Sequence, residues 1–184
     1  MDWTTGLTIA VTVLLAFAGY LATYAYNLRL AQRKDRLERV NKQLSNLYGP
    51  LYALVSSSQA CWKAFRTRYR PGVPFWSTEP PPTDEEAAAW RLWIVEVFMP
   101  INVAMADVIT QNADLLDEPE VPPVLPDICA HVTGYQPIIK RREAGDFSEN
   151  SSVVNFPRGR IEEFAFKEFS RLKKEQSALL GHDT

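Results

Sequence analysis

Two cysteines and two histidines are the residues of this 184-residue chain best suited to metal binding or nucleophilic chemistry, and only Cys129 and His131 stand close together. A zinc or iron site needs several such ligands at recurrent short spacings. Cys61 lies 68 positions upstream of Cys129, and neither a repeated C-x-x-C nor an H-E-x-x-H occurs. A Cys–His catalytic couple fares no better, because residues two apart on a helix point in different directions. His182 falls in a segment expected to fray. Asp107, Asp114, Asp146 and Glu149 are the carboxylates that acid–base chemistry would draw on. Their ordinary role is a solvated helix face, and Asp146-Phe147-Ser148-Glu149 also fits a helix cap. The eight glycines include no G-x-x-x-x-G-K-[ST] phosphate loop. The residues therefore predict no catalytic, cofactor-binding or metal site, and a protein that is not an enzyme.

The aromatic residues are read differently. Trp62, Trp76, Trp90 and Trp93 suit core or interface filling rather than a ligand cage. Phe75 and Trp76 sit in a proline-rich stretch, where two large rings either tuck beneath the helices or present a docking surface. Both alternatives stand on the sequence alone.

These residues must be positioned by a chain that is 46% hydrophobic and 23% charged, with 13 prolines and a formal charge of −2. Such a composition excludes a collagen, a disulfide scaffold and a wholly disordered chain. The near-neutral total argues against nucleic-acid binding, which draws on a basic excess.

No charged side chain lies between Asp2 and Arg29, and Leu7 to Tyr26 is a run of twenty mostly apolar residues. As a helix it would extend about 30 Å, the thickness of a bilayer's hydrocarbon core. Thr8, Thr12 and Thr23 are tolerable there if their hydroxyls bond back to carbonyls one turn earlier. Trp3, Tyr20, Tyr24 and Tyr26 suit the two interfaces. Ala16-Phe17-Ala18 resembles a signal-peptidase site, but the basic start of a signal peptide is missing, which favours an uncleaved signal anchor. Arg29, Arg33, Lys34, Arg36, Arg39 and Lys42 come after the span. The positive-inside rule then puts residues 1–6 outside, 7–27 across the membrane and the remainder in the cytoplasm, as a single-pass protein with reduced cysteines. Ala18 and Ala22 have the spacing of a helix-packing face, a weak signal in an alanine-rich span.

Beyond the span, Leu37, Val40, Leu44, Leu47, Leu51 and Leu54 recur at helical spacing, continuing toward Cys61 and Phe65. This predicts a basic juxtamembrane helix over 28–70, kinked or restarted at Gly49-Pro50 because proline clashes with the preceding turn. Residues 71–82 read as a proline-rich loop. Residues 83–181 supply the remaining helices. Thr83-Asp84-Glu85-Glu86 is a capping box; Trp90, Ile94, Val97, Ile101, Met105, Val108, Ile109 and Leu115 form the stripe of the next helix, bent at Pro100. Leu125, Ile128, Val132 and Ile139 mark a shorter helix in which Pro137 disturbs the second half. Gly145 to Asn155 read as a polar loop. Ile161, Phe164, Ala165, Leu172 and Leu179 mark a last helix, with Gly181 beyond its end. The fold class expected is all-α: one transmembrane helix continuing into a cytoplasmic antiparallel helical bundle.

Charge is strongly partitioned. Residues 29–70 carry ten basic and two acidic side chains, residues 79–120 one basic and ten acidic, and 121–184 nine of each. Two readings coexist: neighbouring helices neutralise each other, or Arg29, Arg33, Lys34, Arg36, Arg39 and Lys42 lie on anionic lipid while Lys63 to Arg70 serve the bundle.

Five blocks, Leu47-Tyr48-Gly49-Pro50-Leu51, Phe98-Met99-Pro100-Ile101-Asn102, Asp114-Leu115-Leu116, His131-Val132-Thr133-Gly134-Tyr135 and Gly145-Asp146-Phe147-Ser148-Glu149, together resemble a group of uncharacterised bacterial membrane-anchored helical proteins. The resemblance covers most of the part beyond the span. It implies a bacterial inner-membrane setting and brings no catalytic residue. The expected function is scaffolding or protein association, with membrane lipids and either a second copy or another membrane-associated protein as partners. Leu37, Val40, Leu44 and Leu47 would form a coiled-coil-like seam for self-association, or face Ile94, Val97 and Ile101 within one chain. The alternatives are a sensor or effector acting on the bilayer, which the absence of intramembrane charge disfavours, and more distantly an enzyme using buried carboxylates.

Overall fold

Hydrophobic spacing and proline placement account for most of the helices in the computed structural model, which describes residues 2–149 and 152–181 apart from the side chains at 5, 6 and 10. Residues 150 and 151 of the expected polar loop and His182 lie outside the described residues. Helix α1 (Trp3–Lys42) passes through a π-helical turn (Gln43–Tyr48) directly into α2 (Gly49–Tyr69). Helix α3 (Asp84–Trp93) passes likewise through a π-helical turn (Ile94–Phe98) into α4 (Met99–Gln111). A short 3-10 turn (Ala113–Leu115), α5 (Val124–Glu143) and α6 (Arg158–Leu180) complete the chain. No strand occurs among the described residues.

The prolines expected to kink or restart one helix at Gly49-Pro50 and to bend another at Pro100 are both accommodated after a widened turn. Pro50 and Pro100 each sit in the first turn after a π-helical turn. There the chain bonds over a wider ring, Gly49 N–H to the Leu44 carbonyl and Met99 N–H to the Ile94 carbonyl. The wide turn inserts one extra residue and so moves the register of the helix after it. Phe98 and Asn102 are buried where simple helical spacing selects Val97 and Ile101, and Gln43 and Val55 where it selects Leu44 and Leu54. Gly49 is required by the same feature, since a Cβ there would stand 2.2 Å from the Leu44 carbonyl oxygen. Pro137 lies within α5 without ending it. That helix turns His131, Tyr135, Ile138 and Arg142 inward rather than Val132 and Ile139.

From residue 2 to residue 35 every described side chain is exposed, so the first part of α1 stands away from the rest as a stem. Within it, the Thr8, Thr12 and Thr23 hydroxyls donate to the carbonyls of Thr4, Thr8 and Gly19 at 2.8–2.9 Å, the back-bonding that residues of this type need in an apolar setting. Below the stem, three apolar groups succeed one another. Val40, Leu47 and Tyr48 pack with Leu115 and Leu172. Leu51 and Val55 meet Met105, Ile109, Leu125, Ile128, Ile161 and Ala165. Farthest along, Phe65 and Phe75 meet Ile94, Phe98, Met99, Tyr135 and Ile138.

The loop after α2 is organised by Arg70, which is only 5% exposed. Its guanidinium donates to Ser77 Oγ at 2.8 Å, the Pro74 carbonyl at 3.2 Å and the Pro80 carbonyl, and pairs with Glu86 at 3.1 Å. Glu86 also accepts from the Thr83 N–H at 2.8 Å while its own N–H donates to Thr83 Oγ1, completing the capping box read from the sequence. Asp146 to Glu149 start no helix: the Asp146 carboxylate accepts from the Ser148 N–H at 2.9 Å and folds a turn on itself. Gly181 takes a left-handed conformation at the end of α6, the role expected of it.

Phe65 is fully buried against rings from α2, α3, the π-helical turn and the loop, including Trp90, Trp93, Phe98 and Phe75. Phe65→Ala is expected to cost about 3–5 kcal/mol. The check is a fall in the denaturation midpoint with an unchanged slope.

Candidate functional site

Among the described residues no three His, Cys, Asp or Glu side chains come together as a metal site would require. Asp107, Asp114, Asp146 and Glu149 are all exposed. Cys61 and Cys129 are partly buried and free, and burial pushes the Cys129 thiol above its ordinary range, away from thiolate reactivity. His131 does not turn toward that thiol: its Nδ1–H donates to the Val154 carbonyl at 2.7 Å, which leaves Nε2 as the acceptor nitrogen. Burial lowers the affinity of this imidazole for a proton more than the Val154 carbonyl raises it.

The six basic residues after the span divide into two sets. Arg33 Nε donates to the Leu179 carbonyl at 2.8 Å, Arg36 pairs with Glu175, and Arg39 reaches Asp117 and the Leu116 carbonyl at 3.3 Å. Lys42 pairs with Glu38 of its own helix at 2.9 Å. Arg29 and Lys34 are exposed, and their side chains have no hydrogen bond or ion pair among the described residues. Asp117 is the node of this region. Its Oδ1 accepts from Gln43 Nε2 at 2.9 Å and from Arg39, and its Oδ2 from Arg171 at 3.0 Å. Arg171 also holds the buried Glu168 at 2.7 Å. Burial works against the Asp117 carboxylate, but the donors Gln43, Arg171 and Arg39 outweigh it and hold the group below the usual carboxylate range.

Among the hydrophobic seam residues, Val40 and Leu47 are fully buried within this chain, against Leu115 and Leu172 rather than Ile94, Val97 or Ile101. Leu37 and Leu44 are half-buried. Phe75 and Trp76 part company. Phe75 tucks beneath the helices, while Trp76 stays 40% exposed.

Trp76 borders a feature the sequence did not reveal, a partly enclosed cavity of about 190 Å³ among the packed helices at the end far from the stem. Trp62, Trp76 and Trp90 line it, with Trp62 and Trp76 both close to perpendicular to Trp90. Asn102, His131 and Arg158 are the polar groups most relevant to binding. Asn102 is 3% exposed, and its Oδ1 accepts no hydrogen bond among the described residues. Arg158 opens α6 and lays its guanidinium 3.9 Å over the Trp62 ring. The segment 152–156 covers one side. It can approach α5 because residue 134 is glycine: a Cβ there would meet Ser152 Oγ at 2.9 Å. The Ser152 hydroxyl then receives the Val154 N–H at 3.2 Å, and Val154 receives the His131 Nδ1–H. The block His131-Val132-Thr133-Gly134-Tyr135 thus carried the signal, as a clamp for a cavity wall.

No known protein family, curated protein or solved structure matches the chain. Among the described residues the protein is all-helical, with two helices long and apolar enough to cross a membrane.

Two pH dependences result. Asp117 titrates lower in the fold than in the unfolded chain, so its stabilisation is complete above the ordinary carboxylate range and is lost as pH falls through the folded value. Asp117→Asn is expected to lower the melting temperature at neutral pH and to flatten the loss of stability below about pH 4. His131 also titrates lower in the fold, so the unfolded chain binds the extra proton and stability falls as pH drops below about 6.5. His131→Asn keeps a donor for Val154 and should remove that dependence, as thermal melts between about pH 5 and 7.5 would show.

Proposed function

We propose that the chain is a single-pass membrane protein: residues 7–27 span the bilayer, and the remaining helices form an antiparallel bundle on the cytoplasmic side that docks a second copy or another membrane-associated protein. The observation that carries the reading is the stem, an uninterrupted apolar helical segment of bilayer length with every described side chain exposed, continuous with the bundle beneath it. In water such a surface would be a large apolar liability. The order of contacts supports the bundle arrangement, since residues late in α2 meet residues early in α3, and early α2 residues meet late α4 residues.

The lipid contact proposed for the whole basic run narrows accordingly. Arg33, Arg36 and Arg39 are engaged by α6 and the 115–117 turn, which leaves Arg29 and Lys34 as the residues best placed to meet anionic headgroups. Association through the seam likewise shifts away from Val40 and Leu47, which are already covered, and toward the exposed surfaces.

The test uses the full chain in bacterial membranes, with the native cysteines replaced by alanine. A cysteine at Thr4 should react with a membrane-impermeant maleimide in intact cells, and one at Glu85 only after permeabilisation. Extraction by alkaline carbonate, or the opposite labelling pattern, would defeat the membrane assignment or its orientation. A monomeric mass in mild detergent together with no cross-linked partner in native membranes would defeat the association.

A further inference from the structure

We infer that the cavity beneath Trp76 is a binding site for a small aromatic carboxylate that bears a hydroxyl or N–H at the opposite end of its ring. Size comes first. A dry cavity of about 150 Å³ accepts benzene, so about 190 Å³ suits one substituted ring. The walls favour a flat π-system, because Trp62 and Trp76 each pack edge to face against Trp90, at 82° and 88°, so that indole surfaces of different orientation border the cavity.

The polar groups then define the two ends of the ligand. Inside, Asn102 Oδ1 is buried without a donor among the described residues, and His131 presents Nε2 as an acceptor because Nδ1–H is committed to Val154. An acceptor left without a donor in such a place costs free energy that a ligand O–H or N–H would recover. On the other side, Arg158 is a half-buried cation stacked on the Trp62 ring, and its guanidinium N–H groups make no hydrogen bond among the described residues. The neighbouring carboxylate of Glu162 accepts from Gln59 at 3.2 Å and forms no ion pair with Arg158. Arg66, 5.7 Å from the same Trp62 ring, adds a second positive charge nearby. Acceptors within and a guanidinium at the rim call for a ligand with a donor at one end and an anion at the other, joined by a ring.

The probe is 4-hydroxybenzoate, added to the full-length protein in detergent micelles, with tryptophan fluorescence and calorimetry as readouts. Saturable quenching is expected. On the wild type, 4-hydroxybenzyl alcohol, which lacks the charge, should bind at least about tenfold more weakly, and benzoate, which lacks the inner donor, about fivefold more weakly. Arg158→Gln should weaken 4-hydroxybenzoate by about tenfold and leave the neutral alcohol unchanged. Asn102→Leu should abolish the preference for 4-hydroxybenzoate over benzoate. The two ligand comparisons need no variant, so a failure of Asn102→Leu to fold leaves the proposal exposed to them. Absence of saturable binding up to about 10 mM, equal affinity for acid and alcohol, or equal affinity for benzoate and 4-hydroxybenzoate would each overturn it.

Discussion

The carboxylate of Asp117 is the fixed point on which the stem side of the molecule depends. A helix that leaves the helices packed around it and continues for some thirty residues can splay at the point of exit, because none of the described residues packs against it beyond that point. Asp117 counters this by receiving donors from three directions: Gln43 and Arg39 of the long helix, and Arg171 of α6. Arg171 is shared with Glu168 and Glu175, and Glu175 is shared with Arg36. Exposed ion pairs taken singly contribute little. This set differs in that it includes a fully buried glutamine, whose amide nitrogen donates to Asp117 and to the Leu115 carbonyl, and a nearly buried glutamate held by Arg171. Val40, Leu47 and Leu172 close the apolar layer beside it.

A second constraint is set by proline. Pro50 and Pro100 deny their helices a donor, and each helix widens by one residue just before the proline. That explains how much of the interior was legible from sequence. Helix positions, the capping box, the proline-rich loop and most buried leucines and isoleucines emerge from hydrophobic spacing read at an ordinary helical period. The same period fails where the register moves, so it selects Ile101 and passes over Asn102, a polar residue that the structure buries. A constant helical period cannot anticipate an inserted residue whose only sequence trace is a proline just after it, equally consistent with a kink.

The charge partition shows a related limit. A basic stretch of 29–70 beside an acidic 79–120 suggests direct neutralisation, and two ion pairs, Arg39–Asp117 and Arg70–Glu86, do join these segments. Glu175, however, belongs to the balanced remainder, and it takes Arg36. Net charge over a segment says which groups are in excess. It does not say which helix comes close enough to use them. The cavity was less legible still, because its lining residues come from the α2 face, the loop, α3, α4, α5 and the start of α6, and no local spacing unites them. Phe75-Trp76 stood out as two rings in a proline-rich loop and the His131–Tyr135 block as part of the resemblance; Trp76 forms part of the cavity wall and the block clamps another side of it.

The geometry of the long helix also bears on what the cavity can meet. Trp62 lies 36 residues beyond Tyr26 on a helix without a break, a separation of about 54 Å at 1.5 Å per residue. If residues 7–27 cross a bilayer, Trp62 and the rings around it stand at the far end of the bundle from the headgroups. A lipid chain anchored in the membrane could not reach them without leaving the bilayer altogether. A molecule entering the cavity must therefore come from the aqueous phase, where a carboxylate confers solubility on a small ring. The half-buried Arg158 at the rim is then placed on the side from which such a ligand would arrive with its charge still hydrated, so the anion can exchange water for guanidinium without being carried into the apolar interior.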